Sequence, residues 1–200
     1  MSHYGSSTPP YDTWKKAAWF IVMAAEEAGP NDTVRVAPGL YLEPDIILKG
    51  GISLIGAGID SCSVELGMSN ETSILCDSGR ISVSDLSFRL TFNKPCEAVT
   101  YYGSGMVLED TLIIERCRFE NFEIAVECFA HFARLADCLF VNCGGQNGPV
   151  YHFDWSSGNA VFERDTFVKT HEDINFPVYI GLDLPWESDS IAIRNCVFPG

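Results

Sequence analysis

The chain has 200 residues, 46% of them apolar, enough to fill the core of one domain. Lys and Arg total 13 against 27 Asp and Glu, a net charge of −14, which argues against binding a nucleic-acid backbone or an anionic membrane surface, since both require clustered positive charge. The same balance suits a cationic partner, a divalent cation or a neutral surface, and it favours solubility.

Residues 1–10 are polar, with two prolines, and read as a flexible N-terminal arm. They lack the basic-then-apolar pattern of a signal peptide, and no apolar run approaches the roughly 20 residues needed to span a bilayer. Residues 11–30 predict a capping helix: Asp12 or Thr13 can cap it, Ala and Met favour it, and Gly29-Pro30 stops it. Trp14, Ala17, Ala18, Ile21 and Ala25 fall on one face as an apolar stripe. From residue 31 to 200 the pattern becomes short strands. Val34-Arg-Val36, Ile46-Ile-Leu48 and Ile52-Ser-Leu-Ile55 are separated by glycine-rich corners with no helices between them, which fits a coil of strands better than a βαβ sheet.

A repeat emerges when the phenylalanines are aligned. Ile81-Ser-Val-Ser-Asp-Leu-Ser-Phe88, Leu112-Ile-Ile-Glu-Arg-Cys-Arg-Phe119, Ala133-Arg-Leu-Ala-Asp-Cys-Leu-Phe140, Ala160-Val-Phe-Glu-Arg-Asp-Thr-Phe167 and Ile191-Ala-Ile-Arg-Asn-Cys-Val-Phe198 share one template. It runs apolar-x-apolar-x-polar-small-x-Phe. The Phe recurs after 31, 21, 27 and 31 residues, so the walls are constant and the loops vary. Together these features predict an all-β fold, a single right-handed parallel β-helix with an N-terminal amphipathic capping α-helix. Stacked coils turn each template position into a column about 4.8 Å in spacing. Phe88 to Phe198 form an aromatic stack, and Leu86, Cys117, Cys138 and Cys196 a narrower column beside it, which Asp165 interrupts. The corner column Asp85, Arg116, Asp137, Arg164, Asn195 alternates in charge and can pair between coils. The eight cysteines contain no CxxC pair, which disfavours zinc. Reduced core thiols point to the cytosol or nucleus. The sequons Asn31-Asp-Thr33 and Asn70-Glu-Thr72 leave secretion open.

The run Glu26-Glu-Ala-Gly-Pro-Asn-Asp-Thr-Val-Arg-Val-Ala-Pro-Gly-Leu-Tyr41, preceded by a helix, resembles the N-terminal cap and first coil of pectin-lyase-like β-helices. The Ile-x-Asn-Cys-x-Phe unit at 193–198 resembles their repeated coils, in particular the cysteine-bearing coils of intracellular F-box-type proteins. The resemblance spans about residues 12–200 and implies fold rather than function, because the superfamily holds lyases, esterases, hydrolases, viral proteins and non-catalytic binding modules. The Gln, paired Asp and Arg of pectin methylesterases do not fall in register here. Pectate lyases need a calcium-binding Asp cluster near a catalytic Arg on one face, whereas the arginines here sit mostly at corners or in outward slots of the template, and the Asn-Thr-Asp and Gly-His-Gly signatures of polygalacturonases are absent.

The strand before each template unit is placed by a nine-residue offset, Ile124 to Ala133 and Tyr151 to Ala160. With Ile124, Val126, Tyr151 and Phe153 inward, alternation turns Glu123 and Glu127 outward on one coil, and His152 and Asp154 on the next. Tyr179 and Asp183 are the counterparts one coil further. Glu127, Asp154 and Asp183 then stack as an acidic column, with His152 and Tyr179 beside it and Trp155 at the rim. Stacked carboxylates repel unless a cation or a proton lies between them. The column is therefore a candidate calcium site or a candidate acid–base pair. Tyr101 and Tyr102 open an inserted loop suited to recognition. The leading expectation is a non-catalytic binding or scaffold module that recognises a protein or polysaccharide along one face, with neither nucleic acid nor membrane as partner. The alternatives are a polysaccharide-active lyase, esterase or hydrolase using the acidic face, and a structural component of a larger assembly such as a virion. In the last case a partner or a second copy would close the open C-terminal coil.

Overall fold

The computed structural model describes residues 1–66, 72–90, 97–103, 109–144, 150–153, 159–168, 180–183 and 190–198, with backbone alone at 72–73, 150–153 and 180–183. Its strands form three all-parallel sheets, to which each coil adds one strand apiece. The first sheet stacks Thr33–Arg35, Ser53–Ile55, Arg80–Ser84, Thr111–Glu115, Phe132–Ala136, Asn159–Glu163 and Ser190–Arg194. The second stacks Gly39–Glu43, Cys62–Leu66, Ser87–Leu90, Arg118–Glu120, Leu139–Val141 and Thr166–Val168. The third stacks Ile46–Leu48, Thr72–Cys76, Glu97–Tyr101, Ile124–Cys128, Val150–Phe153 and Ile180–Asp183. The chain is a right-handed parallel β-helix.

Parallel stacking puts each template position against its own equivalent. Val34, Leu54, Val83, Ile114, Leu135 and Phe162 meet in register along the first sheet and are all buried. The phenylalanine rings stack face to face, with centroids 5.4 Å apart for Phe88–Phe119, 5.3 Å for Phe119–Phe140, 4.7 Å for Phe140–Phe167 and 5.1 Å for Phe167–Phe198. These columns reach the last described coil, where Ile193 is 49% exposed and Phe198 42%.

The charged corner column pairs as the alternation predicts. Arg116 grips Asp85 through two hydrogen bonds of 2.7 and 2.8 Å, and Arg164 grips Asp137 through two of 2.7 Å. Arg134 spans Glu115 and Glu163 between them. These guanidinium groups hold the Asp85 and Asp137 carboxyls below the usual carboxylate range. All five corner residues have φ between 50° and 60°, a left-handed conformation that disfavours an arginine. The corner N–H groups offset that cost by donating to the next coil, as in Arg116 N–H to Ala136 O at 2.9 Å and Asp137 N–H to Glu163 O at 2.9 Å.

The small column beside the phenylalanines has a polar task. The Leu86 N–H points at the Cys117 sulfur, the Cys117 N–H at the Cys138 sulfur, and the Cys138 N–H at Asp165 Oδ1, 2.8 Å away. The thiols in turn donate to backbone carbonyls, Cys138 to Ala136 O at 3.4 Å. From Cys117 onward the column thus needs a buried acceptor, which cysteine supplies and an aliphatic side chain does not; Leu86 needs none, because the Ala57 N–H one coil earlier is directed at the Cys62 sulfur. Asp165 fulfils the same task at the cost of a buried carboxyl. Its Oδ2 has no partner among the described residues, and burial pushes its pKa up to about 6.

The N-terminal region departs from the sequence reading in two ways. Residues 1–10 are docked rather than loose: Met1 and Ser2 are 6% exposed, and the Ser2 N–H donates to Ala18 O. Ser6, Ser7 and Thr8 donate to the carbonyls of Lys15, Ala17 and Lys16. Those carbonyls are thereby taken from a helical ladder, so the helix covers only Ile21–Glu27 and residues 11–20 run as turns and extended segments. Gly5 makes the docking feasible, since a Cβ there would lie 2.2 Å from Ala17 O. The Glu43 carboxylate accepts the Ile21 and Val22 N–H groups at 2.7 and 3.2 Å, capping the helix start. Ile21 and Ala25 cover the first coil, while Trp14, expected on the same stripe, is 56% exposed.

Two outcomes follow. Replacing Ile21 with Asp buries an unpaired charge against the first coil, so Ile21→Asp unfolds the protein or lowers its stability by more than about 3 kcal/mol. Trp14→Asp stays within about 1 kcal/mol in the same thermal melts. For Asp165 the folded pKa lies above the ordinary 3.8. Its contribution is therefore complete below about pH 3.8 and lost as pH rises through about 6. Asp165→Cys keeps an acceptor for Cys138 N–H, raises stability at pH 8 by on the order of 2 kcal/mol, and flattens the melting profile between pH 4 and 7 relative to wild type (roughly, by linkage).

Candidate functional site

The neighbouring strands Glu97–Tyr101 and Ile124–Cys128 lie in the middle of the third sheet, with Val99 opposite Val126, Thr100 opposite Glu127 and Tyr101 opposite Cys128. Alternation sends Val99, Tyr101, Val126 and Cys128 into the core and Ala98, Thr100, Ala125 and Glu127 to the outer face. Ala98, Thr100 and Ala125 are nevertheless fully buried, and Glu127 half-buried. This part of the outer face is therefore an enclosed environment.

Glu97, at the start of its strand, accepts the Thr100 Oγ1 hydroxyl at 2.6 Å and is hydrogen-bonded to Glu127. Two carboxyls can hydrogen-bond only by holding a proton between them. Burial, then the charge of Glu97, then that hydrogen bond push Glu127 up to about 7. The two carboxyl groups therefore lie within hydrogen-bond reach of each other, with Glu127 the one whose proton is held more tightly than usual.

Two residues beyond Thr100 and Glu127, on the same side of each strand, come Tyr102 and Phe129. Their N–H groups extend the ladder, Tyr102 to Cys76 O at 2.8 Å and Phe129 to Tyr101 O at 3.0 Å. The two rings stack with centroids 5.7 Å apart and planes 10° from parallel. Tyr102 is 53% exposed. At about 3.3 Å per residue this aromatic pair lies about 7 Å along the strands from the carboxyl pair.

Tyr101, expected in the recognition loop, is instead a core residue. Its hydroxyl donates to Gly79 O at 2.7 Å and lies within reach of Asp110, which accepts the Gly79 N–H at 2.8 Å. Gly103 closes over them, since a Cβ there would lie 2.4 Å from the Tyr101 ring. This clamp fixes the base of the inserted loop and presents Tyr102. Glu123 sits half-buried in the bend before its strand and makes no hydrogen bond to the carboxyl pair.

Of the expected acidic column Glu127, Asp154, Asp183, the backbone register shows that Glu127 and Asp183 do not stand at the same step, and Asp154 lies outside the described residues. Glu127 is in register with Tyr151 and then Gly181, while Asp183 pairs with Phe153 and His152 with Cys128. Nine residues separate Val126 from Leu135, but twelve separate Val150, its equivalent, from Phe162. The offset is thus three residues longer in this coil, and placement by the nine-residue rule is out by an odd number of steps there. Asp154, Trp155 and Tyr179 lie outside the described residues, as do the side chains of His152 and Asp183. Among the described residues no three His, Cys, Asp or Glu side chains gather as a metal site, and no helix is long and apolar enough to cross a membrane.

Glu97 escaped the sequence reading because fifteen residues, not nine, separate Val99 from Ile114. A signal was present in the shared Ala-Val of Glu97-Ala98-Val99-Thr100-Tyr101 and Ile124-Ala125-Val126-Glu127-Cys128.

The raised Glu127 pKa has a sign. Stability from its protonated form is complete below about 4.5 and lost as pH rises through about 7. Glu127→Gln keeps a donor toward Glu97 and cannot ionise. It raises the melting temperature at pH 8 by about 2–4 °C, the equivalent of about 1 kcal/mol for a chain of this size, and leaves it unchanged at pH 4.5. A variant no more stable than wild type at pH 8 would remove the shared proton from the site.

No protein-family description matches the chain, and no curated protein matches it. Among solved structures it is similar to the A-module of the mannuronan C-5 epimerase AlgE6 of Azotobacter vinelandii, at 14% identity and a TM-score of 0.46. That match covers 88% of this chain and 63% of the other, so the chain spans less than two thirds of the module.

Proposed function

We propose that the chain is a β-helical recognition module that binds a polymer, a polysaccharide, along the outer face of its third sheet. One observation carries this reading: the Glu97–Glu127 carboxyl pair and the stacked Tyr102–Phe129 pair occupy the outer side of the same two strands. Sugar rings present apolar faces that pack on aromatic rings, and hydroxyls that need a donor and an acceptor together. A carboxyl beside a carboxylate supplies both. A net charge of −14 suits a neutral polymer better than an anionic one.

A second reading has its own support. A glutamic acid that keeps its proton near pH 7 is what general acid catalysis at a glycosidic oxygen requires, with Glu97 as the neighbouring carboxylate. On that reading the protein is a carbohydrate-active enzyme. Calcium enters either reading as an ion that would displace the shared proton and sit between the two carboxylates.

A glycan array probed with and without calcium tests the module. Wild type binds a specific polysaccharide; Tyr102→Ala weakens that binding by about tenfold or more, as loss of a stacking platform should, and Glu127→Gln alters its pH dependence around neutrality. Specific binding untouched by either substitution would place the ligand elsewhere, and no binding to any glycan would remove polysaccharides as the ligand. Shortening of the bound polymer by wild type but not by Glu127→Gln would select the enzyme.

A further inference from the structure

Thr100 stands between the two glutamates of the third-sheet site. It follows Glu97 by three residues on one strand and lies directly opposite Glu127 on the next. Alternation assigns its side chain to the outer face, yet it is fully buried there. Its hydroxyl donates to Glu97 Oε2 at 2.6 Å. A hydroxyl bonded to an ionised oxygen lies at about 2.5–2.7 Å, and one bonded to a neutral oxygen at about 2.7–2.8 Å. The contact therefore has the length of a bond to a carboxylate, with Glu97 as the acceptor.

The surroundings of Glu127 differ. Among the described residues its carboxyl meets Glu97, by charge and by a hydrogen bond, and no cation acts on it. One coil earlier Thr72 stands opposite Glu97 and Leu75 opposite Thr100, and one coil later Tyr151 stands opposite Glu127. Glu123, in the bend before the strand, makes no hydrogen bond to the pair. The asymmetry lies in the sequence itself. At the step where one strand carries the Glu127 carboxyl, its neighbour carries the Thr100 hydroxyl, and the second carboxyl comes from three residues back.

We propose that Thr100 is a positioning residue, whose buried hydroxyl fixes Glu97 as the acceptor of the carboxyl pair and leaves Glu127 as the member that donates to a bound polymer. The proposal rests on the reading of this pair as the polymer-contacting site and adds the direction of its hydrogen bonds. A ligand oxygen that carries no hydrogen, such as a ring or glycosidic oxygen, is then met by Glu127, and a ligand hydroxyl by Glu97. On the enzyme reading the same order makes Glu127 the acid.

The test is a carbon-13 titration of the ligand-free whole chain labelled at glutamate Cδ, with the two signals assigned from Glu97→Gln and Glu127→Gln. Two interacting carboxyls lose their protons in two steps that belong to the pair. In wild type the later step is read at Glu127. Thr100→Val keeps the shape and removes the hydroxyl. It moves the earlier step up by about one pH unit or more, as loss of a hydrogen bond to a charged group should, and leaves the later step in place. Thr100→Ser restores the hydroxyl and the wild-type titration. A purely structural role would lower the melting temperature without separating the two steps in this way. Should Thr100→Val fail to fold, Thr100→Ala carries the same expectation. An earlier step unmoved in a folded variant, or a wild-type later step read at Glu97, overturns the role of Thr100 even where glycan binding is intact. The expected titration in a protein that binds no glycan overturns the polymer reading instead, and with it the donation to a ligand.

Discussion

Everything in this molecule depends on the parallel ladder between coils. Its spacing of about 4.8 Å forces each residue to lie against the residue one coil away, at the same step of the template. Apolar positions gain from that, and the phenylalanines turn it into a ring stack from Phe88 to Phe198. Charged positions cannot repeat without repulsion, and the corner column answers by alternating acid and base from Asp85 to Arg164. A position that must accept a hydrogen bond from the coil below settles on sulfur, or at one step on the Asp165 carboxyl.

The same constraint makes the candidate site. Glu97 and Glu127 would avoid one another in solution, yet the ladder holds their strands side by side, and the enclosed outer face raises the cost of two charges there. The conflict pushes the Glu127 pKa upward, toward its protonated form. The aromatic pair a step further along needs no such compromise, since stacked rings profit from the spacing. The candidate site therefore lies where one coil departs from its neighbour, because like stacked on like otherwise repeats the same packing.

The walls of the solenoid were legible in the sequence because they repeat. The Phe column, the thiol column and the alternating corner all follow from the template between residues 81 and 198. What the template does not contain was harder to read. The arm at 1–10 is polar and proline-bearing and the segment 11–20 has helical composition in part, but a tertiary contact, Ser6 to Thr8 against Lys15 to Ala17, docks the arm and claims the carbonyls a longer helix would need. On the third sheet, offsets three and six residues longer defeat the nine-residue rule. Alternation did put Glu127 on the outer side of its strand, and Tyr102, at the start of the inserted loop, is exposed. Tyr101, assigned to the inserted loop, is instead the buried last residue of its strand, and Glu97 was hidden by the longer insertion.

The thiol column has a consequence for how the molecule breathes. Cys117 and Cys138 are sealed and hydrogen-bonded, and burial pushes the Cys117 thiol up to about 12, so neither is a nucleophile while its coil is closed. Modification by an alkylating reagent must wait for a coil to open, and its rate then measures how often that happens. With Cys62 and Cys76 in the early coils, Cys117 and Cys138 in the middle and Cys196 at the last described turn, the solenoid carries a thiol clock along its axis. The order in which those clocks run reports the end from which the coil unwinds.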